Sequence, residues 1–181
     1  HPYSKLGAER VEALAARVKP FFAEIGLNLK GEASANHWRM TPLGVMKRAW
    51  LTLDEYASFE SAEQMPWKKV CILNIDGFLD FHTSYIAASL EQKGVETTIA
   101  SLSAPQFDKL RENPTEMRST NISKVIIGDF VQTLAAQINE KAAGAEVVLM
   151  PAVAGLTGTA EVERLKELVN VPLYFLPTLP P

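Results

Sequence analysis

Val70-Cys71-Ile72-Leu73-Asn74-Ile75 is the stretch on which the fold turns. Five of its six residues are apolar, with no alternation of polar positions. That pattern suits a strand buried on both faces, as in a parallel sheet covered by helices. A helical pattern follows over 80–93 and stops at Gly94, and 95–102 reads as a second strand. Helical spacing returns over 105–111, 115–126 and 129–143. A third strand is expected at 146–150, a helix at 160–168 and a fourth strand at 172–176. Alternating strands and helices imply parallel pairing with helices on both faces. Residues 67–181 therefore read as an α/β, Rossmann-like domain with a parallel sheet of about four strands.

Upstream, residues 1–66 read as a small helix and hairpin region ending in a linker. Val11, Leu14, Ala15, Val18, Phe22 and Ile25 recur at helical spacing, with Ser4 as the N-cap and Gly26 as the stop. Pro20 is expected to kink or break that helix near its end. Two short strands are expected at 27–32 and 45–52, with Thr41-Pro42-Leu43-Gly44 as the turn between them. Residues 54–64 are acidic and free of Lys and Arg, which suggests an exposed linker.

Composition narrows the function classes. The chain has 181 residues, 47% hydrophobic and 22% charged, which fits one domain or a domain with a small appendage. A net charge of −3 argues against general nucleic-acid binding, which needs a basic surface. No apolar run approaches the roughly 20 residues of a membrane helix, and no charged-then-apolar leader opens the chain. The single cysteine, Cys71, lies in an apolar run and suits a buried thiol in a reducing compartment. His1-Pro2-Tyr3 at the start and Leu179-Pro180-Pro181 directly after a strand-like run make a piece of a larger protein the expected reading.

The strong chemical signatures are missing. The turn after the first strand reads Asn74-Ile75-Asp76-Gly77-Phe78 in place of G-x-G-x-x-G, so a phosphate there meets a carboxylate rather than open amides. Walker, H-E-x-x-H and G-x-S-x-G motifs are absent, and three histidines with one cysteine give no metal-ligand spacing.

Weaker constellations remain. Asp80 and His82 follow the first strand at the sheet crest, where open α/β sheets place ligands; Asp80 equally suits an N-cap and His82 a packing residue. Residues 151–159, with Gly155, Thr157, Gly158 and Thr159, can present amides to an anion or form a flexible turn with Thr159 as N-cap. Lys47, Arg48 and Trp50, with Trp38 and Arg39 upstream, mix cations and indoles across a hairpin. That surface can hold a phosphorylated ligand at Arg48, or it is a solvated strand face. Arg118 and Asn121, three apart on an expected helix, can converge on one anion or pair within the helix surface.

Taken in order, several of these motifs are familiar. His1-Pro2-Tyr3-Ser4, Thr41-Pro42-Leu43-Gly44 with Trp50, Asp80-Phe81, Thr115-Glu116 with Arg118, Asn121-Ile122, Leu149-Met150-Pro151-Ala152 and the closing 176–181 form one ordered set. The set resembles the B subunits of anaerobic glycerol-3-phosphate dehydrogenases across the whole chain. The resemblance implies a flavoprotein, with FAD or FMN, that oxidises sn-glycerol 3-phosphate to dihydroxyacetone phosphate and passes electrons toward quinone. It further implies a flavin-bearing A subunit and a membrane-attached iron–sulfur C subunit as partners. The complex is expected on the cytoplasmic face of a bacterial inner membrane. On this reading the chain is an internal domain without its flavin-binding flanks: it binds no cofactor and is inactive alone, and its catalytic residues stay unassigned. A non-catalytic docking module and an independent small-molecule-binding domain are the alternatives.

Overall fold

β5 (Lys69–Ile75), which contains the apolar run 70–75, is central to a four-stranded sheet. β6 (Glu96–Leu102) pairs with it on one side and β7 (Val147–Pro151) on the other, and β8 (Leu173–Leu176) lies beyond β7. Every pairing is parallel. The computed structural model describes residues 2–113, 115–156 and 159–179. All five residues of β7 are buried, and Cys71, Ile72 and Leu73 of β5 have no exposed surface, as their unbroken apolar pattern requires. β6 is an edge strand and exposes most of its residues.

The helices bury one stripe each. α3 (Thr83–Glu91) buries Ile86, Ala87 and Leu90; α6 (Phe130–Lys141) buries Phe130, Val131, Leu134, Ala135 and Ile138. α4 (Pro105–Arg111) inserts Phe107 edge-on to Phe130, with ring centres 5.3 Å apart. α5 (Ser119–Val125) and α7 (Ala160–Leu168) complete the flanking set. Each expected helix is present. The segments read over 80–93 and 115–126 begin later than expected, because 76–82 and 115–118 form turns at the crest.

The N-terminal region departs further from expectation. A 3-10 helix (Pro2–Lys5) precedes α1 (Ala8–Ala16) and α2 (Val18–Glu24). Ser4 lies in the 3-10 turn and the N-cap is Gly7. The break comes at Arg17 rather than at Pro20. Proline has no N–H for the carbonyl four residues back and its ring crowds it; that carbonyl belongs to Ala16, so α1 ends there. Pro20 itself sits in the first turn of α2, where no intrahelical donor is needed. Gly26, at φ 77°, ends α2 as expected.

Four short strands follow. β1 (Leu29–Lys30) pairs antiparallel with β4 (Thr52–Leu53), and β2 (His37–Met40) with β3 (Met46–Ala49). The expected strand 45–52 is thus split between two sheets. The 41–44 turn is present, and the Thr41 hydroxyl accepts the Val45 amide at 3.1 Å. The segment read as an exposed linker is structural. Ala57 and Phe59 are 2% and 3% exposed. Phe59 exchanges backbone bonds with Trp38, while the Phe175 amide donates to Glu55 and the Ala57 amide to Phe175. Residues 55–57 thereby cover the outer edge of β8, which otherwise presents unpaired backbone groups.

Candidate functional site

The carboxyl ends of the parallel strands form the crest, and α5 spans it. After β5 the chain turns back over its own strand. Asn74, the polar interruption of the apolar run, sends Nδ2 to the Phe78 carbonyl at 2.8 Å and accepts the Ile75 amide on Oδ1 at 2.8 Å. The Asp76 carboxylate accepts a hydrogen bond from Arg111 Nη1 at 2.8 Å. The same guanidinium reaches Ser103 Oγ at 3.2 Å and pairs with Asp108. These residues do not fit a dinucleotide pyrophosphate. The turn is lined by a carboxylate and closed by its own hydrogen bonds, whereas a pyrophosphate needs convergent free amides.

Asp80 and Arg118, singled out separately in the sequence, come together. Arg118 Nη1 donates to Asp80 Oδ2 at 3.1 Å, with side chains 42% and 22% exposed. The bond is single, so the guanidinium keeps further donors in its planar fork. Around it, the Asp80 carbonyl accepts the Leu179 amide at 2.9 Å, and the Ser119 and Thr178 hydroxyls lie 3.2 Å apart. Buried Ser123 accepts the Leu156 amide at 3.3 Å. α5 and its N-cap are therefore tied to the segments following β5, β7 and β8.

The other sequence candidates are placed elsewhere or turned aside. Asn121 does not converge with Arg118: Arg118 is the extended N-cap residue of α5, and Asn121 Nδ2 folds back to the Glu116 carbonyl at 3.0 Å. Asp80 is not an N-cap. His82 holds that position on α3 without a side-chain bond, its ring edge-on to Tyr85. Thr159 is the N-cap residue of α7, also without a side-chain bond, beside a small cavity that includes Glu55 and Tyr56. Thr157 lies outside the described residues. Arg48 is on the β2–β3 hairpin opposite Trp38, its guanidinium 5.2 Å from the Trp38 ring centre. The contacts that sequence reasoning missed join residues 35, 59 and 33 positions apart: Asp76 with Arg111, Ser119 with Thr178, and Ser123 with Leu156. No local period marks such pairs.

Away from the crest, Lys30 donates to the carbonyls of Asp54 (3.2 Å) and Tyr56 and sits 5.4 Å from the Tyr174 ring centre. Burial pulls its ammonium below the ordinary lysine value, partly offset by Asp54. His37 Nε2 lies 2.6 Å from Thr52 Oγ1, and burial, then Lys30 and Arg39, lower its pKa. Burial raises the Cys71 thiol, which suits a packed rather than reactive cysteine. Among the described residues no group of three or more His, Cys, Asp or Glu can hold a metal ion, and no helix is long and apolar enough to cross a membrane.

Comparison with known proteins adds what the crest alone does not. Residues 1–181 match the family described as FAD binding domain. The chain is 39% identical to the B subunit of anaerobic glycerol-3-phosphate dehydrogenase from Yersinia enterocolitica serotype O:8, over 183 residues. It is 38% identical over 186 residues to the protein of the same name from Haemophilus influenzae, and 34% over 183 residues to that from Yersinia pestis. Each match covers 100% of this chain and 43% of the relative, so the chain spans less than half the length of these proteins. No solved structure matches.

Proposed function

The chain belongs to the FAD-binding domain family, and on that premise we propose that it is the part of a glycerol-3-phosphate dehydrogenase B subunit that lies outside the flavin pyrophosphate site. The observation that carries this reading is identity of 34–39% along the whole chain to proteins of that name. The complete protein then oxidises sn-glycerol 3-phosphate to dihydroxyacetone phosphate and delivers electrons to quinone. A flavin-bearing A subunit and an iron–sulfur C subunit that holds the complex to the inner membrane are its partners. FAD, which the family description names, is the flavin; nothing favours FMN. The 181-residue chain alone binds no flavin and does not turn over.

Within the chain, Arg118 is the residue we assign to the substrate phosphate. Its guanidinium is held by one bond to Asp80 and is 42% exposed; a phosphate dianion is well matched to the remaining fork. Ser119 and Thr178 hydroxyls lie at the same start of α5. Among the described residues, no side-chain hydrogen bond joins Asn121, Arg48, Thr159 or His82 to Arg118. In the assembled enzyme, Arg118→Ala is expected to raise the KM for glycerol 3-phosphate by about 10- to 100-fold, the loss of one charged hydrogen bond. Unchanged kinetics with an unchanged melting temperature refute the assignment. Flavin recovered in stoichiometric amount from the 181-residue chain refutes the wider reading.

A docking role is the second reading, and one feature supports it. Large apolar side chains, Leu14 and Phe21, are exposed on α1 and α2.

A further inference from the structure

We propose that the apolar face of α1 and α2 is the seat on which the flavin-binding remainder of the same polypeptide packs; this rests on the reading above that the chain is part of a longer flavoprotein. Neither helix buries a single residue. Leu14 is 45% exposed, and Phe21 and Ile25 are 61% and 62% exposed. With Leu6, Val18 and Trp50, Leu14 lines a groove of about 390 Å³ whose walls are mostly apolar, with Glu12 among them. Helices of 9 and 7 residues are marginal in water on their own, because helices shorter than about 12–15 residues draw their stability from packing an apolar face. These two have the apolar face and, among the described residues, little to pack it against.

Three observations choose the occupant. Relatives aligned to this chain from end to end carry more than half of their length outside the matched region. The chain belongs to a FAD-binding family, yet the crest turn at 74–80 does not fit a pyrophosphate, so the flavin-binding part has to come from that remainder and has to pack somewhere. Finally, the polar positions of the two helices carry both signs, Glu9, Arg10 and Glu12 on α1 and Lys19 and Glu24 on α2. A helix that lies on an anionic membrane carries a Lys- and Arg-rich polar face instead. A mixed-charge rim around an apolar groove is the anatomy of a protein contact.

The test is amide hydrogen exchange over residues 8–24, measured in the isolated full-length protein and in the 181-residue chain. The expected result is exchange at least about tenfold slower in the full-length protein, the signature of local opening made costlier by packing. In the full-length protein, Leu14→Glu with Phe21→Glu removes that protection while the amides of β5 and β7 remain protected, which separates loss of docking from loss of the fold. Equal exchange in the two proteins overturns the proposal. So does protection that appears in the 181-residue chain with rising concentration as a dimer forms, since the occupant is then a second copy. Protection that appears only when partner polypeptides are added overturns it in favour of one of them. The parent reading is tested apart from this: it fails if the full-length protein binds no flavin, whatever α1 does.

Discussion

Helix α6 buries five residues against its neighbours, whereas α1 and α2 together bury none. Both regions contain amphipathic helices. They differ in what lies beneath: a parallel sheet whose strands are buried on both faces, or two pairs of short antiparallel strands, only partly covered. Residues 69–176 supply most of one hydrophobic core, to which Met40, Ala57 and Phe59 also belong. Residues 2–53 are anchored through a few points, among them the Phe59–Trp38 backbone pair, the strap of 55–57 on β8, and the Ser89 hydroxyl bond to Gly44 at 2.7 Å. Hydrophobic helices whose apolar stripe finds no core are what a region looks like when its packing partner is elsewhere.

The largest effect that can break this comparison is in the sheet. Leu149, fully buried in β7 between Ile72 and Tyr174, is expected to cost about 2–5 kcal/mol on replacement by Ala. Leu14→Ala is expected to stay within about 0.5 kcal/mol in the same chain. Urea unfolding of the two variants measures both, and a Leu14 cost near that of Leu149 means that α1 has a core after all.

Gly44 tests an anchor point. Its φ is +76°, and a Cβ there meets the Tyr85 carbonyl oxygen at 2.6 Å. Gly44→Ala is expected to cost about 1–3 kcal/mol through backbone strain and the displaced contact. Loss confined to the hairpin in amide exchange, with β5 still protected, shows that the two regions unfold separately; a uniform loss shows that they are one cooperative unit.

At the crest, Arg118→Ala is expected to change stability by less than about 1 kcal/mol, because its bond to Asp80 is partly solvated. A larger loss in chemical denaturation makes the pair a structural tie of α5 instead of a group held for a ligand.

The smallest effect concerns pH. The folded-state pKa of His37 lies below its ordinary 6.5. Between 6.5 and that lowered value the unfolded chain binds the proton first, so His37's stabilising share is complete above pH 6.5 and lost as the pH falls through the folded pKa. The stability of the chain is expected to fall over that window, and less steeply in His37→Gln. Identical slopes place the histidine outside the energetics of the N-terminal sheets.

Much of this was legible in residues taken a few at a time. The runs 70–75 and 146–150, the helix at Pro105–Arg111 and the stops at Gly26 and Gly94 announce themselves through local pattern. The mixture of cations and indoles around the 41–44 turn was visible too, but the pairing of Arg48 with Trp38 was not. Strand β2 escaped because His37-Trp38-Arg39-Met40 alternates too briefly to carry a period, and only its partners, β3 and Phe59, make it a strand. The acidic stretch 54–64 concealed Ala57 and Phe59, two small anchor points in a segment whose composition is that of a solvated loop.

By itself, then, the sequence determines the parallel α/β layer, since continuous apolar runs can be satisfied only when both faces of a sheet are covered. It also determines that the first crest turn carries a carboxylate where a phosphate-binding strand needs open amides. Tertiary structure alone decides that Asp80 meets Arg118 across 38 residues, that α5 is tied to three crest segments, and that β8 has its edge covered from the N-terminal side. It also leaves the stripe on α1 uncovered. A periodic pattern states that a face must be buried, but the partner that buries it is fixed by chain topology, and contacts between distant residues leave no trace in local spacing.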